Sequence, residues 1–135
     1  MTQEQIEQTR VIAEKDGWAY VPHSKYLVKD NDRGIIGHPI DKVAKKLLTD
    51  LNTLHEVAMD VMGEIALMQF EVETVAYNCT LDDEMLIMKQ ELEIFKTPFN
   101  CIRAALTKRP INGQYIDLFN AVYDGVVFLN ENKTE

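Results

Sequence analysis

The chain has 135 residues, 46% of them hydrophobic and 27% charged, with only 6 Gly and 4 Pro, which fits one globular domain and excludes a disordered chain. Lys and Arg total 14 against 22 Asp and Glu, a net charge of -8. That field repels phosphate backbones and anionic lipid, so neither nucleic-acid binding nor membrane association is expected.

The first fifteen residues carry Gln, Glu, Thr and Arg without the apolar core of a signal peptide, and no run reaches membrane-spanning length. A cytosolic chain is therefore expected, with Cys79 and Cys101 reduced. Glu4 to Lys15 reads as a short helix, with Ile6, Arg10, Ile12 and Ala13 partly facing the rest of the protein, stopped by Asp16-Gly17. Trp18 to Val21 and Tyr26 to Val28 read as extended runs separated by Pro22-His23-Ser24 and followed by a turn over Asp30 to Gly34. Together they predict a small β-hairpin or flap.

From Ile40 the apolar residues Ala44, Leu47, Leu51, Leu54, Ala58, Val61, Ile65, Met68, Val72 and Val75 follow at alternating intervals of four and three. This is the seam of a helix packed along its length, and it predicts one long central helix over about 40–77. Pro39 suits its first turn, and Asp41 the positive end of its dipole. Thr80 is a cap candidate for a second helix over about 81–108, whose seam runs Met85, Met88, Leu92, Phe95, Phe99, Ile102 and Leu106 and which Pro98 must kink or split. So short a connection folds the second helix back antiparallel on the first. Tyr115, Phe119, Val122, Val126 and Leu129 predict a third helix over 113–130 with Asn112 as a candidate cap, in preference to a hairpin turn at Asn112-Gly113. The fold expected is mainly α: an antiparallel helical bundle in one domain, with an N-terminal helix and β-hairpin over 1–39. A seam of ten turns exceeds what three helices of this size cover readily, so a homodimer is expected.

Chemistry-bearing patterns are sparse. Asp30, Asn31, Asp32 and Gly34 resemble a calcium loop, but the glycine falls one place early and no closing Glu follows, which leaves a plain turn. His23, His38 and His55 lack paired metal-ligand spacing with the cysteines. Cys101 stands beside seam residue Ile102 without a nucleophile motif and reads as a packed thiol. Asn78-Cys79-Thr80 matches a glycosylation sequon in form only. Glu56, Asp60 and Glu64 line one stripe at four-residue spacing, as magnesium ligands of helical nucleotide pyrophosphohydrolases would. That stripe points away from the seam, however, the Glu-Glu-x-x-Glu of such enzymes is missing, and Glu71, Glu73, Glu91 and Glu93 read as solvated. Arg103, Lys108 and Arg109 are accounted for by a helix C-terminus. One cluster mixes stacking surfaces with cations: Trp18, Tyr20, His23, Lys25, Tyr26, Lys29 and Arg33. These are the candidate ligand-binding residues, suited to a nucleotide-like molecule or a partner's acidic loop, against the plainer reading of a flap over the end of the bundle.

Gly17-Trp18 and Asp50-Leu51-Asn52-Thr53-Leu54-His55-Glu56 resemble small phage and prophage proteins in which an N-terminal helix ends in Gly-Trp and an Asp-Leu-Asn-x-x-His-Glu stretch follows. The resemblance covers about the first 60 residues; it implies a phage accessory protein and transfers no functional residue. The function expected is a non-enzymatic binding protein that occupies a host protein or sequesters a small nucleotide-like ligand, with no cofactor, metal or catalytic residue assigned. The alternatives are a magnesium-dependent nucleotide pyrophosphohydrolase and a structural coiled-coil oligomer.

Overall fold

The computed structural model describes residues 2–77 and 82–132, the side chains of 75–77 and 82–92 excepted. The chain is mainly helical, with a small three-stranded antiparallel sheet. The expected cap at Thr80, the Asn78-Cys79-Thr80 triplet and the seam positions Val75, Met85, Met88 and Leu92 lie outside the described residues and side chains.

Helix α1 (Gln3–Lys15) is closed at both ends by its own sequence. Thr2 Oγ1 accepts from the Gln5 N–H at 3.1 Å while Gln5 Oε1 accepts from the Thr2 N–H at 3.0 Å, a capping box. At the other end Gly17 takes φ +91°, the Trp18 N–H reaches the Ala13 carbonyl at 3.1 Å, and the Gly17 N–H reaches Glu14 at 3.2 Å. Those two bonds form a Schellman stop, and they swing Trp18 back across the end of the helix. The stop falls where Asp16-Gly17 predicts it.

Strands β1 (Ala19–Val21), β2 (Tyr26–Asn31) and β3 (Gly34–Pro39) pair antiparallel in chain order. Tyr20, Leu27 and His38 stand opposite one another, so pleating places them on one face. There Leu27 is wholly buried and forms a small cluster with Ala13 and Ile40, against which Trp18 and Tyr20 pack. The expected hairpin thus gains a third strand and a longer β2. Asn31 Oδ1 accepts from the Arg33 N–H at 2.8 Å, closing the turn between β2 and β3. Gly34, Gly37 and Pro39 disguise β3, because an edge strand tolerates residues that would break an inner one.

The predicted single helix over 40–77 is two helices, α2 (Ile40–Thr49) and α3 (Leu51–Tyr77). Asp50 breaks them apart with extended backbone, φ −109° and ψ 101°. Its Oδ1 accepts from the N–H groups of Asn52 at 3.0 Å and Thr53 at 3.4 Å, and its Oδ2 from the Thr53 hydroxyl at 3.1 Å, so it caps α3. In a continuous helix the Asn52 N–H would bond the Leu48 carbonyl. Here that carbonyl accepts from the Tyr115 N–H at 2.7 Å instead. The seam crosses the break with its phase kept, Leu47 and Leu54 both being buried, and the residue between them, Leu51, is 38% exposed. Two helices thus share the seam, and α2 packs partly on α1 and the sheet.

Helix α4 (Asp82–Ala105) runs through Pro98 without division. After it, Asn112 (φ +52°) and Gly113 (φ +76°) make a two-residue turn of the hairpin kind, bridged by Ile111 and Gln114. Helix α5 therefore spans Ile116–Glu131 rather than starting at 113, and the residue at its N-cap is Tyr115, not Asn112. Val61 and Ile65 of α3, Phe95 and Ile102 of α4, and Phe119, Val122 and Val126 of α5 fill the main core, joined by Ile12 of α1. Phe95 meets Phe128 edge to face with centroids 5.4 Å apart. Gln8 Nε2 donates to Asn120 Oδ1 at 3.1 Å and ties α1 to α5. The Cys101 thiol, expected to be packed, is exposed one place off the buried Ile102.

Candidate functional site

The Schellman stop, the Asp50 break and the sheet leave a cleft of about 360 Å³ between α1, α2 and the start of α3. Ile12, Ala13, Val43, Leu47 and Val57 give it apolar surface, Trp18 and His38 contribute an aromatic wall, and Lys42, Lys46, Asp16 and Thr53 supply the polar groups. The volume lies in the range of sites that hold small organic molecules. Each wall has a sequence cause. Trp18 is placed by the two bonds that end α1, His38 by the β2–β3 register, and Lys42 and Lys46 by four-residue spacing on α2, which sets both ammonium groups on one side of the helix.

Electrostatics divide the cleft. Lys29 Nζ stands 5.7 Å from the centroid of the Trp18 ring and 3.7 Å from the Asp16 carboxylate, so its charge is spent on an aromatic face and a local acid. The Trp18 and His38 rings are 5.9 Å apart and tilted by 48°. Among the described residues, neither Lys42 nor Lys46 forms an ion pair within 4.0 Å. Asp50, just below the cleft, is held under its ordinary pKa of 3.8, first by the Thr53 hydroxyl bond and then by the N–H groups of Thr53 and Asn52 and the charge of Lys46. It therefore stays ionised as a cap. The cleft thus offers an apolar body, an aromatic edge and two ammonium groups outside any ion pair among the described residues, on a chain that is acidic overall.

Of the seven residues singled out by sequence, Trp18 lines this cleft and Lys29 lies over its ring, while Tyr20 packs beneath into the small cluster with Leu27. His23, Lys25 and Arg33 are exposed residues of the two turns, and Tyr26 is exposed on β2; none lines the cleft. Lys25 has a structural duty, since its carbonyl accepts the first N–H of α2, from Ile40, at 2.9 Å. Sequence reasoning missed His38, Lys42 and Lys46. The usable signal was the lysine pair on α2, which the seam residues overshadowed.

The carboxylates Glu56, Asp60 and Glu64 lie on the exposed side of α3, and among the described residues no group of three His, Cys, Asp or Glu side chains is arranged to hold a metal ion. Among the same residues no helix is long and apolar enough to cross a membrane. No family model, no curated protein and no solved structure matches the chain.

Proposed function

We propose that the chain is a non-enzymatic binding protein, an antiparallel helical bundle whose Trp18 cleft holds a small nucleotide-like molecule: a planar apolar body with an anionic end. The observation that carries this reading is the pairing of Trp18 and His38 with the ammonium groups of Lys42 and Lys46 around one apolar floor. A planar body has Ile12, Val43 and Val57 to lie on and the Trp18 ring to stack against. A carboxylate or phosphate gains charge-assisted bonds from two lysines that make no ion pair within 4.0 Å among the described residues, Lys46 acting on Asp50 only at longer range. The cleft holds a single carboxylate, that of Asp16, already facing the Lys29 ammonium at 3.7 Å, and the Thr53 hydroxyl is bonded to the Asp50 carboxylate, so the lining groups favour holding an anion.

Trp18 is the single tryptophan of the chain, so its emission reports on the cleft alone. Titration with nucleoside monophosphates and aromatic carboxylates is expected to change that emission saturably and to raise Tm, since a ligand at a hundredfold its Kd adds about 2.7 kcal/mol. If neither emission nor Tm responds to any of these compounds, the reading is wrong.

A further inference from the structure

Helix α3 has a second apolar stripe, on the side away from its core residues Leu54, Ala58, Val61 and Ile65. Met59, Gly63, Leu67 and Phe70 follow at spacings of four, four and three, and at 100° per residue they share a sector about 80° wide. Met59 is 49% exposed, Leu67 57% and Phe70 64%. Asp60, Glu64 and Glu71 run along one edge of the stripe. All 27 residues of α3 include five carboxylates, Glu56, Asp60, Glu64, Glu71 and Glu73, and neither Lys nor Arg. The Gly17 turn at the end of α1 forms the far bank of an open groove beside Met59, Gly63 and Leu67. Within it the Lys15 ammonium already pairs with Glu64, which shows how a cation sits on this edge. A Cβ at Gly63 would meet nothing within 4 Å, so a neighbouring backbone can come close there.

We infer that this face of α3 docks a basic amphipathic helix of a partner protein. An exposed apolar stripe with flexible Met and large Leu and Phe side chains is the surface into which such a helix lays its own apolar face. The acidic edge selects the sign of that helix: Lys or Arg beside its apolar stripe meets Asp60 and Glu71, with Glu64 shared with Lys15. A second copy of this chain fits poorly, because two α3 faces would set carboxylate edge against carboxylate edge between molecules that each carry −8. Anionic lipid and nucleic acid meet the same repulsion. This surface is separate from the Trp18 cleft, with which it shares only Asp16 at the rim.

The test uses the full chain and a fluorescein-labelled Leu/Lys peptide of about five helical turns with Leu at i, i+3, i+4 and i+7, compared with a peptide of the same composition in scrambled order. Anisotropy is expected to show tighter binding of the patterned peptide, weakening as salt rises. Phe70→Ser and Glu71→Lys are each expected to lower that affinity about tenfold while leaving Tm in place. Equal binding of the scrambled peptide, or affinities that neither variant changes, would overturn the inference. So would sedimentation showing a dimer that Phe70→Ser converts to monomer, because the face would then belong to a second copy.

Discussion

Val61 and Gly125 lie so close across the α3–α5 contact that a Cβ on Gly125 would stand 2.8 Å from Val61 Cγ1, and 2.9 Å from Ile102 Cδ1. Three helices meet at this point, and α5 can approach the other two because residue 125 has no side chain. Gly125→Ala sets a helix-propensity gain of about 1 kcal/mol against overpacking of about 1–3 kcal/mol between buried neighbours. Net destabilisation is expected, read as a lower urea midpoint at unchanged slope. A midpoint that holds or rises would mean that Val61 and Ile102 can turn aside.

The break at Asp50 carries a pH signature. Its carboxylate accepts the Thr53 hydroxyl and two N–H groups, which favours the ionised form in the folded chain and lowers its pKa below 3.8. A depressed folded pKa contributes stability that is present above 3.8 and lost as pH falls through the folded value. Asp50→Ala is expected to lower Tm near neutral pH, and the gap from the parent chain should narrow as the pH falls below 3.8. A gap constant down to pH about 2 would show that the ionised cap is not what Asp50 supplies.

The Leu48–Tyr115 bond can be removed without touching Leu48. Tyr115→Pro deletes the donor at a residue whose φ of −86° is near what proline adopts. It leaves the carbonyl of a fully buried residue unpaired, a loss of about 1–3 kcal/mol. Tyr115→Ala keeps the N–H and serves as control, so the proline variant should melt below the alanine one. Coincident melting curves would remove the bond from the account of stability.

Lys42 and Lys46 are surface residues whose removal should leave folding unchanged. Lys42→Ala and Lys46→Ala are each expected to weaken anion binding in the Trp18 cleft about tenfold, with Tm of the free chain held. Trp18 emission during titration checks both. Affinities equal to the parent's would move the anion elsewhere in the cleft.

Most helices were legible because their buried faces are written at helical spacing: Phe119, Val122, Val126 and Leu129 on α5, Phe95 and Ile102 on α4, and Ala58, Val61 and Ile65 on α3 all enter the core. The Asp50 break was not, because the four-three phase runs through it and Leu51 keeps the pattern while standing half outside. Side-chain capping by an Asp with Thr three residues on was the competing signal. The third strand was hidden by its glycines and proline, which an edge position tolerates. Trp18 and Lys29 were found by residue type, whereas His38, Lys42 and Lys46 join them only through strand register and helix facing, neither of which is local in sequence.

The bond from Tyr115 to Leu48 also joins distant parts of the chain. The Ile40–Tyr77 stretch is split locally by the Asp50 cap, and the Leu48 carbonyl freed there takes its donor from the residue at the N-cap of the last helix. The bend beside the Trp18 cleft is thus tied to the C-terminal helix, so a cleft lined by residues of the N-terminal half is braced by the final element of the fold.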